Sequence, residues 1–575
     1  MAQVWAAAGP VHPRAGASRV LLTSVFGPYA QDDEYGSRAV NPMELYHNQV
    51  TRTQDVFSLR MFHRSWGLML IQANVDASCT LLDFPTLPRF VGELRANPYD
   101  IVGISAILPN VDKVAKMCAL VREHQPAATI VVGGHLANHP RLGERIDADH
   151  IVRGEGVAWF RRFLGEDPGR PIRHPLILST VEARTMGVRL SRRPEDTAAT
   201  LLPSVGCPMG CNFCSTSALF GGKGRFVNFY ETGDELYEVM CGIERGLGVR
   251  SFFVMDENFL LHRRRTRRLL ERMRGGDKSW SLYVFSSVNA LRQYAPEELV
   301  ALGISWVWLG LEGKASAFDK LRGADTQALV RQLQEHGIRV LGSTIIGLPE
   351  HGSDNIDEAI RHAVAHDTEF HQFMLYTPVP GTALYREHLD AGTLLPEIPE
   401  ADVHGQLRFN FRHPRIAPGE ETEMLLRAFR RDQEQNGPSV LRVARTLLEG
   451  WRRHRHHPEP RVRERFRREC RGLPTAYAGA LWAGEHWLRE EARTAGRLRG
   501  VRRAIEAEFG WRARLAGPLL GSVLLAAMRR ERRRQQRGHR YEPPTFYETN
   551  RPLESAGSRE TPAPCRWVVP VTATG

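Results

Sequence analysis

The chain has 575 residues, a formal net charge of +12, 42% hydrophobic and 25% charged residues, and eight cysteines. That length allows roughly two to four domains with their own cores, and the composition excludes a fibrous or disordered chain. Cys79, Cys118, Cys241, Cys470 and Cys565 are scattered singly, which excludes a disulfide scaffold and fits a reducing compartment.

Residues 1–17 read as a tail, and residues 1–10 lack the basic start of a secretion signal. From residue 18 to 180, apolar runs at 19–25, 79–83, 99–105, 128–134 and 150–156 read as strands, with a helical pattern over 111–124. Strands alternating with helices predict a doubly wound, Rossmann-like parallel sheet, whose ligands lie at the carboxyl ends of its strands. Ser105, Gly133-Gly134-His135 and Gly154-Glu155-Gly156 fall at those ends. Paired glycines there let a bulky ligand approach the backbone; for any one of them a plain tight turn is the alternative.

Cys207, Cys211 and Cys214 then follow in the spacing C-x3-C-x2-C, with no fourth cysteine close by. Three thiolates can hold three corners of an iron–sulfur cube and leave the fourth iron open to a small molecule, as sites that do chemistry require. A zinc knot needs a second pair of ligands at matching distance; His262 and Cys241 are the nearest candidates, and neither sits in such a pair. Residues 195–412 again alternate strand and helix, predicting a partial (β/α) barrel. Polar residues gather at its strand ends, where barrel active sites lie: Asp256-Glu257-Asn258, Ser287, Asn289, Glu312 and Glu350. For each carboxylate the alternative is a solvated or structural acid.

Residues 418–542 read as an Arg-rich α-helical domain with helices over 420–435, 440–453, 476–492 and 498–509, and with Trp451, Trp482, Trp487 and Trp511 interleaved. The tail 543–575 is rich in Pro, Thr and Ser and is expected to be flexible. The longest apolar stretch, 515–528, is too short to span a bilayer and is interrupted by Gly517-Pro518, so we expect a cytoplasmic protein. Arginine beside tryptophan on helices suits the inner face of a membrane, a packing lid, or, least favoured, nucleic acid.

The cysteine loop, with Phe213 before its last thiol, resembles the radical S-adenosylmethionine (SAM) superfamily. The phrases Asp-Ile-Val-Gly-Ile-Ser (100–105), Val-Val-Gly-Gly-His (131–135) and Arg-Gly-Glu-Gly (153–156) resemble the cobalamin-binding domain that precedes many radical SAM domains. Four later phrases resemble barrel motifs of that branch: Met-Asp-Glu-Asn-Phe (255–259), Leu-Gly-Leu-Glu (309–312), Ser343-x-Ile345-x-Gly347-x-x-Glu350 and Tyr-Thr-Pro-Val-Pro-Gly-Thr (376–382). The resemblance covers about the first 410 residues. It implies a [4Fe-4S] cluster on Cys207, Cys211 and Cys214, and SAM held by Phe213, Asp256, Glu257, Ser287, Asn289, Glu312, Ile345 and Glu350. It further implies cobalamin at Ser105, Gly133, Gly134, His135, Gly154 and Glu155, and substrate beside Tyr376. Two positions depart from the pattern: Ser343 replaces the motif's first glycine, and Pro85 stands where cobalamin mutases place the histidine below cobalt, so no such ligand is expected.

What the resemblance implies for chemistry is methyl transfer to an unactivated carbon, through a 5′-deoxyadenosyl radical and methylcobalamin. Radical cyclisation, rearrangement or oxidation without methyl transfer is the alternative. A tRNA methylthiotransferase needs a second cluster on three N-terminal cysteines, and only Cys79 and Cys118 precede Cys207; a non-enzymatic sensor leaves the barrel motifs unexplained. The basic, Trp-bearing helices favour a hydrophobic small-molecule substrate, a polycyclic lipid such as a hopanoid or a specialised metabolite. A flavodoxin- or ferredoxin-type electron donor and peripheral membrane contact are the expected partners.

Overall fold

The computed structural model describes residues 10–14, 17–29, 34–35, 40–312, 324–550 and 568–569. Five parallel strands, β1 (Arg19–Ser24), β2 (Ser78–Asp83), β3 (Ile101–Ser105), β4 (Thr129–Gly133) and β5 (His150–Ile151), lie in the order β2-β1-β3-β4-β5. Each strand is almost wholly apolar because helices cover both faces. Leu21, Val102, Ile130 and Val132 face one helical layer; Val20, Leu22, Ile101 and Val131 face the other, with helices α1 (Trp66–Asn74) and α2 (Gly156–Phe163). The strand order reverses between β1 and β3, where a doubly wound sheet opens its ligand crevice.

The second sheet holds β6 (Ala199–Leu201), β7 (Ser251–Val254), β8 (Ser281–Ser286), β9 (Ile304–Gly310), β10 (Arg339–Ile346) and β11 (Phe370–Leu375), all parallel and each beside its predecessor. Consecutive parallel pairing follows from repeated right-handed strand–helix–strand crossovers and gives an open barrel.

Helices Glu420–Asn436, Ser439–His454, Pro460–Cys470, Ala478–Trp487, Ala492–Phe509 and Trp511–Gln536 follow. Leu441, Leu447, Phe466 and Leu481 share one continuous core with Leu282, Ile304 and Val340 of the barrel, so these helices form part of its outer layer. Much of the arginine crowding over 440–471 is answered inside the fold: Arg442 pairs with Asp432 at 2.8 Å, and Arg339 and Arg465 flank Glu469, all buried. Buried pairs of this kind fix a geometry more than they add net stability.

Three features differ from the sequence expectation. Residues 460–470 form a helix that the arginine run concealed. The helix from Trp511 to Gln536 continues through Pro518 instead of breaking there. Phe546–Thr549, within the expected flexible tail, is a strand, β12, antiparallel to β2 at the edge of the first sheet. That edge offers unpaired backbone groups, and Asn550 Oδ1 accepts the Cys79 N–H at 2.8 Å to fasten it. Residues 551–567 and 570–575 of that tail lie outside the described residues.

His174, fully buried between the two sheets, donates Nδ1–H to the Pro175 carbonyl at 2.6 Å and accepts the Leu202 N–H on Nε2 at 2.9 Å. Both nitrogens are committed to the neutral ring, and burial pushes its pKa down to about 4. The unfolded histidine takes up a proton below pH 6.5 that the folded one refuses. Its contribution is therefore intact above pH 6.5, falls as the pH drops toward 4, and is lost below, a difference of roughly 3 kcal/mol. Urea unfolding of the cluster-free protein between pH 7.5 and 4 should show stability falling in that window, less steeply in His174→Gln. An equal slope in the two proteins would remove His174 from the account.

Candidate active site

A hairpin of Ser204–Gly206 with Phe226–Asn228 follows β6. The three cysteines occupy its long connection, just ahead of helix α3 (Ser215–Leu219). The backbone holds this loop: Cys214 N–H donates to the Cys211 carbonyl at 3.1 Å and Gly224 N–H to the Pro208 carbonyl at 2.9 Å. Gly210 has φ +71°, and a Cβ there would lie 2.6 Å from Lys223 Cα, so only glycine fits. Cys214 caps α3, its Sγ accepting the Ser217 N–H at 3.5 Å. All three thiols are half-buried and free of disulfides.

Glu257, after β7, bears on these thiols. Burial lifts its carboxyl to about 7, with the charge of Asp256 adding. Burial likewise lifts the Cys207 thiol to about 12 and raises that of Cys214, Glu257 and the neighbouring thiols adding. Glu257 is accessible at its surface yet closely surrounded by protein, and the surrounding protein governs its charge. Acids crowded in this way resist ionising together, and an iron-bearing group held by Cys207, Cys211 and Cys214 would favour their thiolates. Among the described residues no three His, Cys, Asp or Glu side chains converge as a single metal ion would need.

The strand ends bring most of the other SAM-site candidates to one rim: Glu257 after β7, Ser287 and Asn289 after β8, Glu312 after β9 and Ile345 near the end of β10. Tyr376 follows β11, its ring 6.2 Å from that of Phe213. Asn258, which the sequence places at the same strand end, ties two of these ends together, accepting the Ser287 N–H at 3.0 Å and donating to Ser287 Oγ at 3.1 Å. Two candidates are engaged otherwise. The buried Asp256 carboxylate is taken by Arg265 and by the Asn258 N–H at 3.0 Å, so it braces the loop. Glu350 is exposed, and it is its backbone carbonyl that Arg415 and Asn355 hold.

The inner face of the barrel carries a wall of rings that sequence reasoning missed. Alternate residues face the helices and are fully buried (Leu282, Val284, Val307, Leu309), while Tyr283, Phe285, Trp306 and Trp308 face inward and are half-buried. Phe285 and Trp308 stack at 5.0 Å, and Trp306 and Phe370 at 5.3 Å. Toward the strand starts, Tyr46 and His63, from the excursion between β1 and β2, fill the space: Tyr46 Oη lies 3.3 Å from Tyr283 Oη, and His63 stacks on Phe253. The alternation Leu-Tyr-Val-Phe and Trp-Val-Trp-Leu was the available signal.

At the ends of β3 and β4, Ser105, Gly133 and Gly134 border a cavity of about 180 Å³ between the first sheet and helices α1 and α2. Its apolar walls include Leu22, Val131 and Phe160, and it reaches Val205 and Phe220 on either side of the cysteine loop. Gly154 has φ +86° at the same mouth. Glu155 spends its carboxylate capping α2, accepting the Val157 and Ala158 N–H groups. His135 Nε2 lies 3.1 Å from Thr216 Oγ1, burial holding its pKa below the usual value, and Asn138 Nδ2 donates to the Ser215 carbonyl at 2.9 Å. The end of β4 therefore abuts α3 directly behind Cys214.

The B12-binding domain family matches residues 58–164. An uncharacterized methyltransferase of Pyrococcus horikoshii is 26% identical over 332 residues, 52% of this chain and 70% of that protein. The bacteriochlorophyllide d C-8(2)-methyltransferase of Chlorobaculum tepidum is 23% identical, covering 59% of this chain and 78% of its own. The anaerobic magnesium-protoporphyrin IX monomethyl ester cyclase of Cereibacter sphaeroides is 23% identical over 59% of this chain and 60% of its own. Among solved structures, the radical SAM methyltransferase TsrM of Kitasatospora setae, with cobalamin and a [4Fe-4S] cluster bound, aligns with a TM-score of 0.46 and 15% identity, over 85% of this chain and 100% of that one. A three-cysteine loop on an open barrel, docked against a B12-binding domain, is the arrangement in which this chain resembles the radical SAM enzymes that carry a cobalamin-binding domain.

Proposed function

We propose that the chain is a cobalamin-dependent radical SAM methyltransferase that methylates an unactivated carbon of a flat, hydrophobic small molecule. The observation that carries this reading is the shared interface. The cavity at the ends of β3 and β4 is lined in part by Val205 and Phe220, which flank the loop of Cys207, Cys211 and Cys214 in sequence, and His135 and Asn138 beyond β4 reach α3 behind that loop. When bound, the cluster with SAM supplies a carbon-centred radical and cobalamin a transferable methyl group, chemistry that side chains do not provide.

The chain's own residues position and enclose. Glu257, Ser287, Asn289 and Glu312 stand at the barrel rim where the polar groups of SAM would be met, and Phe213 with Tyr376 offers an aromatic flank. Phe285 and Trp308 floor the space below with stacked rings, which favour a flat, apolar guest and keep water out. The relatives named for bacteriochlorophyllide and magnesium-protoporphyrin are named for flat conjugated rings, which fits such a floor. A polycyclic lipid or specialised metabolite fits it as well. A flavodoxin- or ferredoxin-type donor completes the proposal. Ring closure without methyl transfer is the second reading, and the likeness to the cyclase favours it.

The test is anaerobic reconstitution with iron, sulfide and cobalamin, followed by methyl-labelled SAM, reductant and a lipid extract of the host. Labelled product together with 5′-deoxyadenosine and S-adenosylhomocysteine is expected. 5′-Deoxyadenosine with substrate consumed but unlabelled would move the chain to the cyclase reading.

A further inference from the structure

Nine large apolar side chains are exposed among the described residues, and five of them, Trp511, Leu515, Leu519, Leu520 and Val523, lie on one helix, α4 (Trp511–Gln536). Trp511, Leu515, Leu519 and Val523 recur every four residues and so share one stripe, each between 55% and 68% exposed and together about 18 Å long. The opposite side of α4 is used by the fold. Ala513, Gly517, Gly521 and Met528 are buried, and Gly521 sits against the Trp482 ring of helix Ala478–Trp487. The stripe is therefore not core turned outward by a slipped helix.

Charge identifies what the stripe meets. The helix carries seven arginines and one acid, Glu531, which is buried and accepts the Tyr541 hydroxyl at 2.7 Å. Arg512, Arg514, Arg529, Arg530 and Arg533 are exposed, and no described carboxylate pairs with them. Some exposed arginines elsewhere find acids, as Arg267 meets Glu298, Arg268 meets Asp234 and Arg274 meets Glu459, and others, such as Arg264 and Arg503, stand unpaired singly; what sets α4 apart is that its unpaired arginines share a helix with the apolar stripe. Arg529 and Arg533 stand about five turns beyond Trp511 and Leu515, in line with the same stripe. One face of one helix thus runs from apolar to cationic.

We propose that α4 is a membrane-surface helix. Trp511, Leu515, Leu519 and Val523 enter the headgroup boundary of a lipid surface bearing anionic phosphates, and the unpaired arginines contact those phosphates. No helix among the described residues is long and apolar enough to cross a membrane, so α4 lies on the surface. A second copy of the chain fits less well, because pairing two such faces would bring together arginines that have no acids to meet.

The test uses the full chain and flotation with vesicles of phosphatidylcholine, with or without phosphatidylglycerol, at low and high salt. Binding to the anionic vesicles should exceed that to the neutral ones at least tenfold and weaken with salt. Leu515→Glu with Leu519→Glu, both at exposed positions, should bind at least tenfold less while keeping the wild-type melting temperature. Arg529→Gln, Arg530→Gln and Arg533→Gln together should abolish the preference for phosphatidylglycerol. Failure to float with anionic vesicles, or equal flotation of the double-glutamate protein, would overturn the proposal. So would a wild-type dimer in light scattering that the glutamates dissociate and that floats with neither vesicle. Binding needs no turnover, so this result is independent of the proposed reaction.

Discussion

Cys211→Ala should leave the protein folded, with the first sheet still able to take cobalamin, while removing the brown absorbance of the cluster and lowering SAM cleavage by about a thousandfold or more. Such separation is expected because the loop's shape does not depend on this side chain. The turn is set by Gly210 against Lys223, by the Cys214 N–H on the Cys211 carbonyl and by the Gly224 N–H on the Pro208 carbonyl, none of which the substitution touches. Cys214→Ala is a poorer test, since it also removes the cap of α3. Cys470→Ala is the control: that thiol is buried among the helices, Sγ 3.4 Å from the Leu447 carbonyl, and its loss should cost stability but no iron. Iron and sulfide content, the absorbance spectrum and 5′-deoxyadenosine formation read the three variants. A Cys211→Ala protein that still cleaved SAM would end the cluster assignment.

What the sequence disclosed and what it hid divide along the range of the interactions. The cysteine loop was legible because its chemistry is local, three thiols within eight residues. The strands of both sheets were legible because each is a short apolar run ending in glycine or a polar residue, and alternation with helices leaves few topologies open. The partners of charged groups were not. Asp256 reads as a ligand in a strand-end phrase until Arg265, one helix later, is seen to take it. Glu155 sits in a phrase of the cobalamin domain, yet its carboxylate caps the helix that begins beside it. The arginines of 440–471 read as a surface, but Arg442 and Arg465 are inside, held by Asp432 and near Glu469.

Pairing across long separations was hidden for the same reason. Nothing in the composition of residues 546–549 indicates that they seek the free edge of β2, more than 460 residues earlier. The inner aromatic wall was accessible in principle, since ring and aliphatic alternate along β8 and β9. Only the barrel's closure decides which of those faces turns inward. Pro518 misled because an interior proline costs a helix one hydrogen bond, yet here the helix runs on through it, its far side packed by Ala513, Gly517, Gly521 and Met528.

The adjoining glycines of β4 allow the cobalamin site to be tested without disturbing the barrel. Gly134 is required by the backbone: its φ is +81°, and a Cβ there would lie 2.6 Å from the Ala106 carbonyl oxygen, so any side chain strains the turn whether or not a ligand is present. Gly133 is not. It has no positive φ, and a Cβ would find nothing closer than the Val152 carbonyl oxygen at 3.9 Å. It follows Val131 by two residues on the same strand, so a side chain would point to the face where Val131 lines the cavity. The protein has no internal use for a glycine at that point, and the space it leaves is the space a ligand would take. Gly133→Leu should therefore fold with a melting temperature at or above that of the wild type, since leucine suits a strand better than glycine does. It should keep its full complement of iron and lose cobalamin affinity by about a hundredfold or more, as a leucine occupies the cavity. Cobalt content after reconstitution and the absorbance of the corrin ring measure this directly. A Gly133→Leu protein with unchanged cobalamin affinity would place the cofactor outside the cavity, whereas joint loss of cobalamin and iron would mean that the end of β4 and the cysteine loop fold as one unit through His135, Asn138 and α3.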